Sequence, residues 1–440
     1  MDGTITSTET AKPLNLEELQ AIVGNDGVIP WDNLNPALQQ NLTQAVTPET
    51  HIQAVVYPNT QEELAAVVAI AAKYCYRILP YGGGSKLHWG GLVENVHLAV
   101  STERLNRLIE HAVGDLTVTV EAGMKFEQLQ QTLAKVGQFI AIDPAYPQTA
   151  TIGGIIATAD TGSLRQRYRS VRDMVLGVSF IRSDGKIAKA GGRVVKNVAG
   201  YDLMKLLTGS YGTLGLISQV TLRLYPMALD SATVLLTGDA AAITQASQTL
   251  LSSALTPVAV DILSPTLIEK LELGSGLGLL VKFESITESV QQQSSRLLEV
   301  GEKLGLKGGL VNTDENDLWQ QLHQQMSISG SNSQIICKIG VSPTAAIETL
   351  TQSQTTGWIH AGVGLGMLQF ETVTAEELLN LRKWCEAKGG FLSVLAAPMN
   401  LKQKIDVWGY SGNGLKLMQQ IKQQFDPNSI FSPHRFIGGI

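Results

Sequence analysis

Pro80-Tyr81-Gly82-Gly83-Gly84-Ser85-Lys86 follows a short apolar run, residues 76–79, and precedes His88, Trp89 and a further glycine pair, Gly90 and Gly91. The run predicts a buried strand, and the glycines predict a tight turn at its end. Three consecutive residues without a Cβ let backbone N–H groups converge on an anion. The hydroxyl of Ser85 and the charge of Lys86 suit a diphosphate. An ordinary glycine-rich turn would carry the same letters, so the reading depends on what surrounds it.

Upstream, residues 51–57 alternate and are rich in β-branched side chains, which predicts another strand. Residues 62–73 place alanine and valine at helical spacing behind a Pro-Asn-Thr cap. Strand, helix and strand predict a right-handed βαβ unit with the glycine turn at the carboxyl end of its second strand, where such units bind ligands. Residues 1–47 read as a separate N-terminal helical segment, with one helix over 14–23 and another after Asn35.

Downstream, a strand is expected over 117–121 and an amphipathic helix over 126–136. A second glycine block follows. Asp143-Pro144-Ala145-Tyr146-Pro147 leads into Ala150-Thr151-Ile152-Gly153-Gly154-Ile155-Ile156-Ala157. The prolines fix an extended approach. Gly153 and Gly154 allow backbone to touch a flat or phosphorylated ligand, and the helix-forming residues after them offer an N-terminus to phosphate. Residues 175–181 and 187–190 flank Arg182-Ser183-Asp184-Gly185, a hairpin signal. The third block, Gly209-Ser210-Tyr211-Gly212-Thr213-Leu214-Gly215, runs into a strand expected over 216–225. Glycine this dense in three places costs folding entropy unless something packs closely on the backbone.

Composition sets the bounds. The chain has 440 residues, 44% of them hydrophobic, so large cores and two or three domains are expected. A formal net charge of −6 and the lack of a long basic cluster argue against a nucleic-acid partner. Cys75, Cys337 and Cys385 are too far apart in sequence for metal-ligand spacing or a disulfide framework, so a reducing compartment is expected. The polar start, MDGTITSTETAKP, does not read as a signal peptide. No apolar run is long enough to span a bilayer. The expected location is cytoplasmic, with attachment to the inner face of a membrane through a complex left open.

Together the three glycine blocks resemble the flavin-binding domain of the vanillyl-alcohol oxidase superfamily, over residues 50–226. The resemblance implies an α+β protein. A two-subdomain PCMH-type FAD-binding domain over 48–227 would be followed by an α+β cap domain with an antiparallel sheet over 228–440. FAD would contact Tyr81, Gly82, Gly83, Gly84, Ser85 and Lys86 in the pyrophosphate loop. Pro144, Ala150, Thr151, Gly153, Gly154 and Ala157 would form the second loop, and Gly212, Gly215 and Ile217 the strand beside the isoalloxazine ring. Relatives that attach FAD covalently use a histidine where this chain has Ser85, so non-covalent FAD is expected, with His88 packing or hydrogen-bonding locally.

Within the superfamily, the phrase Gly192-Arg-Val-Val-Lys-Asn-Val-Ala-Gly-Tyr-Asp-Leu203 and Tyr211 resemble the small flavin subunit of bacterial glycolate oxidases, in the 2-hydroxy-acid dehydrogenase branch. The end of the chain, from Phe425 to Arg435, resembles that branch's C-terminal return segment, with His434 where glycine is common. The resemblance implies two partners, a larger flavin subunit carrying the complete substrate site and an iron–sulfur subunit taking electrons onward. An autonomous FAD dehydrogenase of another small hydroxy acid, with Lys196, Tyr201 or Arg435 at the substrate, and a scaffold that merely holds flavin are the other readings.

Over 228–440 strands are expected at 233–236, 258–262, 277–283 and 335–339. Helices are expected at 240–254, 286–305, 343–352 and 374–388, on one side of the sheet, and the glutamine- and serine-rich residues 320–333 read as a helix and a loop. Active relatives carry histidines in a glycine-rich strand turn and a later Glu-His pair, which bind a metal and take the hydroxyl proton. Here the first region has only His360, and the second reads Val394-Leu395-Ala396-Ala397. Neither a metal ligand set nor a catalytic residue is therefore expected in this chain. His360 is read as structural, and Arg382 and Lys383 as solvated helix residues.

Overall fold

The structure, a computed structural model, describes residues 13–192, 201–311, 315–325 and 334–440. Most of the Gly192–Leu203 phrase, Lys196 included, and the later part of 320–333 lie outside them.

The first sheet has four strands, β1 (Val28–Pro30), β2 (Ala54–Val56), β3 (Ile78–Tyr81) and β4 (Leu98–Ser101), in the order β1-β2-β4-β3. β1 runs antiparallel to β2; β2 and β3 are each parallel to β4. The expected βαβ unit is thus split, with β4 inserted between its two strands. Both faces are covered. Val56, Ile78, Leu98 and Val100 pack with Leu19 and Val23 of α1 (Leu16–Val23), while Val55, Leu79 and Ala99 pack with Leu42 of α2 (Pro36–Thr43). That explains why these strands read as continuous apolar runs. The residues before 47 are therefore more than helical, since they add β1 to the sheet. α3 (Gln61–Tyr74) makes the crossover, capped by Thr60, whose hydroxyl accepts from the Glu63 amide.

The second sheet is antiparallel. It uses β5 (Leu108–Ala112) and β6 (Thr117–Glu121), then, beyond the short β7 (Gln138–Phe139), β8 (Val175–Ile181), β9 (Ile187–Gly191) and β10 (Leu216–Arg223). Its order is β5-β6-β10-β8-β9, and β11 (Tyr225–Pro226) pairs with β7. α4 (Phe126–Ala134) buries Phe126, Leu129 and Leu133 on this sheet, beside Ile152, Ile155 and Ile156 of α5 (Ile152–Thr158). Val136, expected on that stripe, lies past the helix end and is exposed.

Residues 230–396 form an eight-stranded antiparallel sheet. Its strands are β12 (Asp230–Gly238), β13 (Ala259–Leu263), β14 (Leu277–Ser285), β15 (Lys307–Leu310), β16 (Ile335–Gly340), β17 (Thr356–His360), β18 (Leu365–Phe370) and β19 (Phe391–Ala396), in the order β15-β12-β14-β13-β17-β18-β16-β19. One face buries α6 (Ala240–Leu251), α7 (Thr287–Lys303), α8 (Ala346–Ser353) and α9 (Ala375–Ala387). The other face is not bare. Leu280, Trp358 and Leu395 pack there against Trp89 and Tyr146, which belong to the glycine-block region.

Arg382 is a correction. It is buried, and its guanidinium donates to the carbonyls of Leu392 and Val407, tying α9 to β19. A long stem that reaches past apolar neighbours to two carbonyls looks like a solvated helix residue from sequence alone. Lys383, by contrast, is exposed.

The chain then returns to the first sheet. Phe431 bridges Ile78 in parallel, with Ile78 N donating to Ile430 O and Ser432 N to Ile78 O.

Candidate functional site

The carboxyl end of β3, the start of α5 and the turn before β10 meet at one cleft, of about 740 Å³. The first glycine block packs edge-on against the second. A Cβ on Gly82 would lie 2.0 Å from Thr151 Oγ1, and one on Gly83 would lie 2.3 Å from the Thr149 carbonyl. Within the Gly82–Gly84 run only Gly84 has a backbone conformation that favours glycine, at φ +75°. Thr151 caps α5 by accepting from the Gly154 amide, 3.3 Å away. The third block docks on the far end of α5, where Gly209 N donates to Ile156 O and Tyr211 N to Ala157 O.

Tyr81, Gly82, Gly83, Gly84, Ser85, Lys86, Thr151, Gly153, Gly154, Ala157, Gly212, Gly215 and Ile217 all line this cleft. Two residues named with them do not. Ala150 is fully buried, and its carbonyl holds the Phe126 amide. Pro144 is buried between Asp143 and Ala145, which face a different cavity. The role read for the Lys86 charge also changes. Its ammonium lies 2.7 Å from Asp160 Oδ2 with both groups buried, so this charge is already neutralised inside the protein.

Arg435 closes the cleft from the return segment. It is 5% exposed, and its Nη2 donates to the carbonyls of Lys86, Leu87 and Trp89. Nη1 is buried without a partner among the described residues. Burial pulls its pKa down to about 10. Lys402 acts similarly from the sheet-rich half. Its ammonium donates to His88 O at 2.6 Å and Gly90 O at 2.8 Å, and burial, with Arg435 nearby, pulls it down to about 7. His88 is indeed hydrogen-bonded, its Nε2 lying 3.1 Å from the Tyr146 hydroxyl, but that partner is 58 residues away.

A second, smaller cavity of about 510 Å³ shares Thr158 and Tyr211 with the cleft. Its outer wall belongs to the eight-stranded sheet, with Lys338 on β16 and His360 on β17. His360 Nδ1 lies 2.6 Å from Asp261 Oδ1, and the other carboxylate oxygen of Asp261 accepts from the Ser163 hydroxyl. Sequence reading missed Asp261, though an acid within the apolar strand Ala-Val-Asp-Ile-Leu was a usable signal, since lone acids are rarely buried without a partner. Thr102, Thr158 and Leu216, also in the cleft, carry no sequence signal, because any small or apolar residue could stand there.

The chain is an FAD-dependent oxidoreductase, and its cleft is built of glycine backbone between a split βαβ sheet and an antiparallel sheet, under a second antiparallel sheet. Two family models agree with that class: one described as "FAD binding domain" matches residues 52–191, and one described as "FAD linked oxidases, C-terminal domain" matches residues 406–436. The chain carries an FAD-binding domain, and its cofactor is FAD.

It is 28% identical to glycolate oxidase subunit GlcE of Escherichia coli, over 80% of this chain and 91% of that protein. It is 31% identical to glycolate oxidase subunit GlcD of Bacillus subtilis, but over only 39% of this chain and 37% of that protein. The match likewise spans only about a third of the length of the D-lactate and D-2-hydroxyglutarate dehydrogenases it resembles. Among solved structures, p-cresol methylhydroxylase with substrate bound superposes with a TM-score of 0.72 at 16% identity, covering 96% of this chain and 95% of that one, a likeness of fold.

Proposed function

We propose that the chain is an FAD-binding subunit of a glycolate oxidase-like complex. The observation that carries this reading is the pairing of a glycine-built cleft with a GlcE likeness running through most of both chains. The cleft fits FAD on two counts. The backbone of Gly82 to Gly84 lines it, and Arg435, which lines it too, has its Nη1 without a partner among the described residues. We place the diphosphate on Gly82, Gly83, Gly84 and Ser85, and the ring system between Gly153, Gly154 and the Gly212–Ile217 turn. Ser85 offers no histidine for covalent attachment, so the flavin is held non-covalently.

Bound FAD supplies two-electron acceptance, which protein groups can tune but not replace. This chain's own part is to hold, orient and shield it. The partners in this reading are a larger GlcD-like flavin subunit and an iron–sulfur subunit. Among the described residues no helix is long and apolar enough to cross a membrane. Co-expression with a GlcD-type flavoprotein and an iron–sulfur protein, followed by size-exclusion chromatography, tests the reading. One co-eluting species containing all three chains is expected. Elution of this chain alone at every protein concentration would contradict it.

A further inference from the structure

The ribbon of β7 and β11 carries a surface that the flavin cleft does not use. Tyr225 pairs directly with Phe139, so their side chains share one side of the ribbon. The strands stay together one step further, where the Met227 amide donates to the Gly137 carbonyl. Tyr168, ending the short helix Arg165–Tyr168, packs edge-on against both rings, 5.7 Å from Phe139 and 4.7 Å from Tyr225 between centroids. All three rings are partly exposed, and next to them Met227 is 50% and Leu229 85% exposed. Large apolar side chains left open beside aromatic rings form a contiguous patch, the kind of surface another molecule covers.

Charge decides what kind of molecule. Arg223 lies over the Tyr225 ring, its Cζ 4.9 Å from the centroid. Arg167 precedes Tyr168 and Arg169 follows it, and all three arginines are exposed. None of their guanidinium groups makes a hydrogen bond or an ion pair with a described residue. The acids beside them are engaged elsewhere: Asp173 accepts the Ser170 amide and hydroxyl, and Glu284 lies 2.8 Å from Lys282. Arg169 also sits at φ +69° and ψ −154°, a conformation that favours glycine and strains any side chain. Its free head does nothing within the described fold to offset that strain.

On a chain of net charge −6, three free arginines around an apolar centre make a locally basic face. Arginine, tyrosine, phenylalanine and methionine are the residues enriched at the centres of protein interfaces, and the arginine fork matches carboxylates. We propose that this ribbon face is a docking surface for a second protein whose own face sets aspartate or glutamate side chains around an apolar centre. The face lies on the seam of the molecule, since Gln166 of the same short helix packs against the Gly362 turn of the sheet-rich half. The proposal rests on the reading of the chain as a subunit, and it names the face by which that subunit joins its complex.

The test measures binding of the FAD-loaded chain to the GlcD-type flavoprotein and to the iron–sulfur protein, each alone and both together. The wild type should bind, and less tightly at high salt than at low. Changing Arg167, Arg169 and Arg223 together to glutamate should weaken binding by about tenfold or more. Met227→Asp should weaken it on its own. Arg169→Gly, which relieves the backbone, should melt no lower than the wild type yet bind less tightly. Flavin content and melting temperature of each variant separate a lost surface from a lost fold. Wild-type affinity in the triple charge reversal and in Met227→Asp overturns the surface and leaves the complex standing. A wild-type chain that binds neither protein contradicts the subunit reading and this surface with it. Binding to phosphatidylserine vesicles that the triple reversal abolishes, with complex formation unchanged, would assign the face to a membrane and overturn the protein partner.

Discussion

At the scale of single residues, the glycines were legible and their reasons only partly so. Gly83 stands out in sequence as the centre of a ligand-binding turn, with positive φ and diphosphate space as the obvious grounds. In the structure positive φ belongs to Gly84, and Gly83 is constrained by the Thr149 carbonyl. Gly83→Val must therefore push the first loop off the second, costing about 1–3 kcal/mol as an overpacked site does. It should purify without flavin yet remain folded by circular dichroism; full flavin content would contradict the placement of the diphosphate.

His88 makes a second residue-scale prediction. Burial, together with Lys402, Arg435 and Lys86, lowers its pKa to about 3, against about 6.5 in an unfolded chain. Between those values the unfolded chain takes up a proton that the folded chain refuses. Stability present above about pH 6.5 is thus lost progressively as pH falls toward 3. His88→Gln, which can still bond the Tyr146 hydroxyl, should lose less melting temperature between pH 7 and 4.5 than the wild type. Parallel melting curves would show that His88 is not a source of acid sensitivity.

At the scale of elements, local signals were the readable ones. The Asp184-Gly185 turn joins β8 to β9 as expected, with Gly185 at φ +77°. α9 begins at a capping box between Thr374 and Glu377, a pattern visible in the letters. Strand order was not readable, because the insertion of β4 and the place of β17 beside β13 depend on partners far away in the chain. β15 was hidden for another reason: Lys-Gly-Gly-Leu at a sheet edge is exposed throughout and shows no alternation.

The return segment was recognisable as a phrase, but its anchor was not. That anchor is the Asp426–Lys422 pair, 2.6 Å apart and buried at the end of α10 (Leu415–Phe425). Asp426 also accepts the amides of Ile430 and Phe431, while Lys422 reaches the Thr213 carbonyl in the third glycine block. Asp426→Ala should cost about 3–5 kcal/mol, since it strands a buried ammonium. Hydrogen exchange should then speed up at the amides of Ile78 and Ser432, which pair across the segment. Unchanged protection at those two amides would show that the segment is held by packing alone.

At the scale of the whole molecule, the cleft has walls from parts of the chain far apart in sequence. Arg435 comes back more than 340 residues to reach Lys86 and Leu87. Lys402 joins the sheet-rich half to the loop after the first glycine block. Sequence could show the three glycine blocks because each is a local run, whereas Asp160, Asp261 and Lys338 gain meaning only when the fold brings them to the cavities. The central claim is that these walls hold one FAD without a covalent bond, and native mass spectrometry of the purified protein tests it most directly. The account predicts the mass of the chain plus one FAD, falling to the mass of the bare chain on acid denaturation. A flavin adduct that survives denaturation, or a native chain that carries no FAD at all, would contradict it.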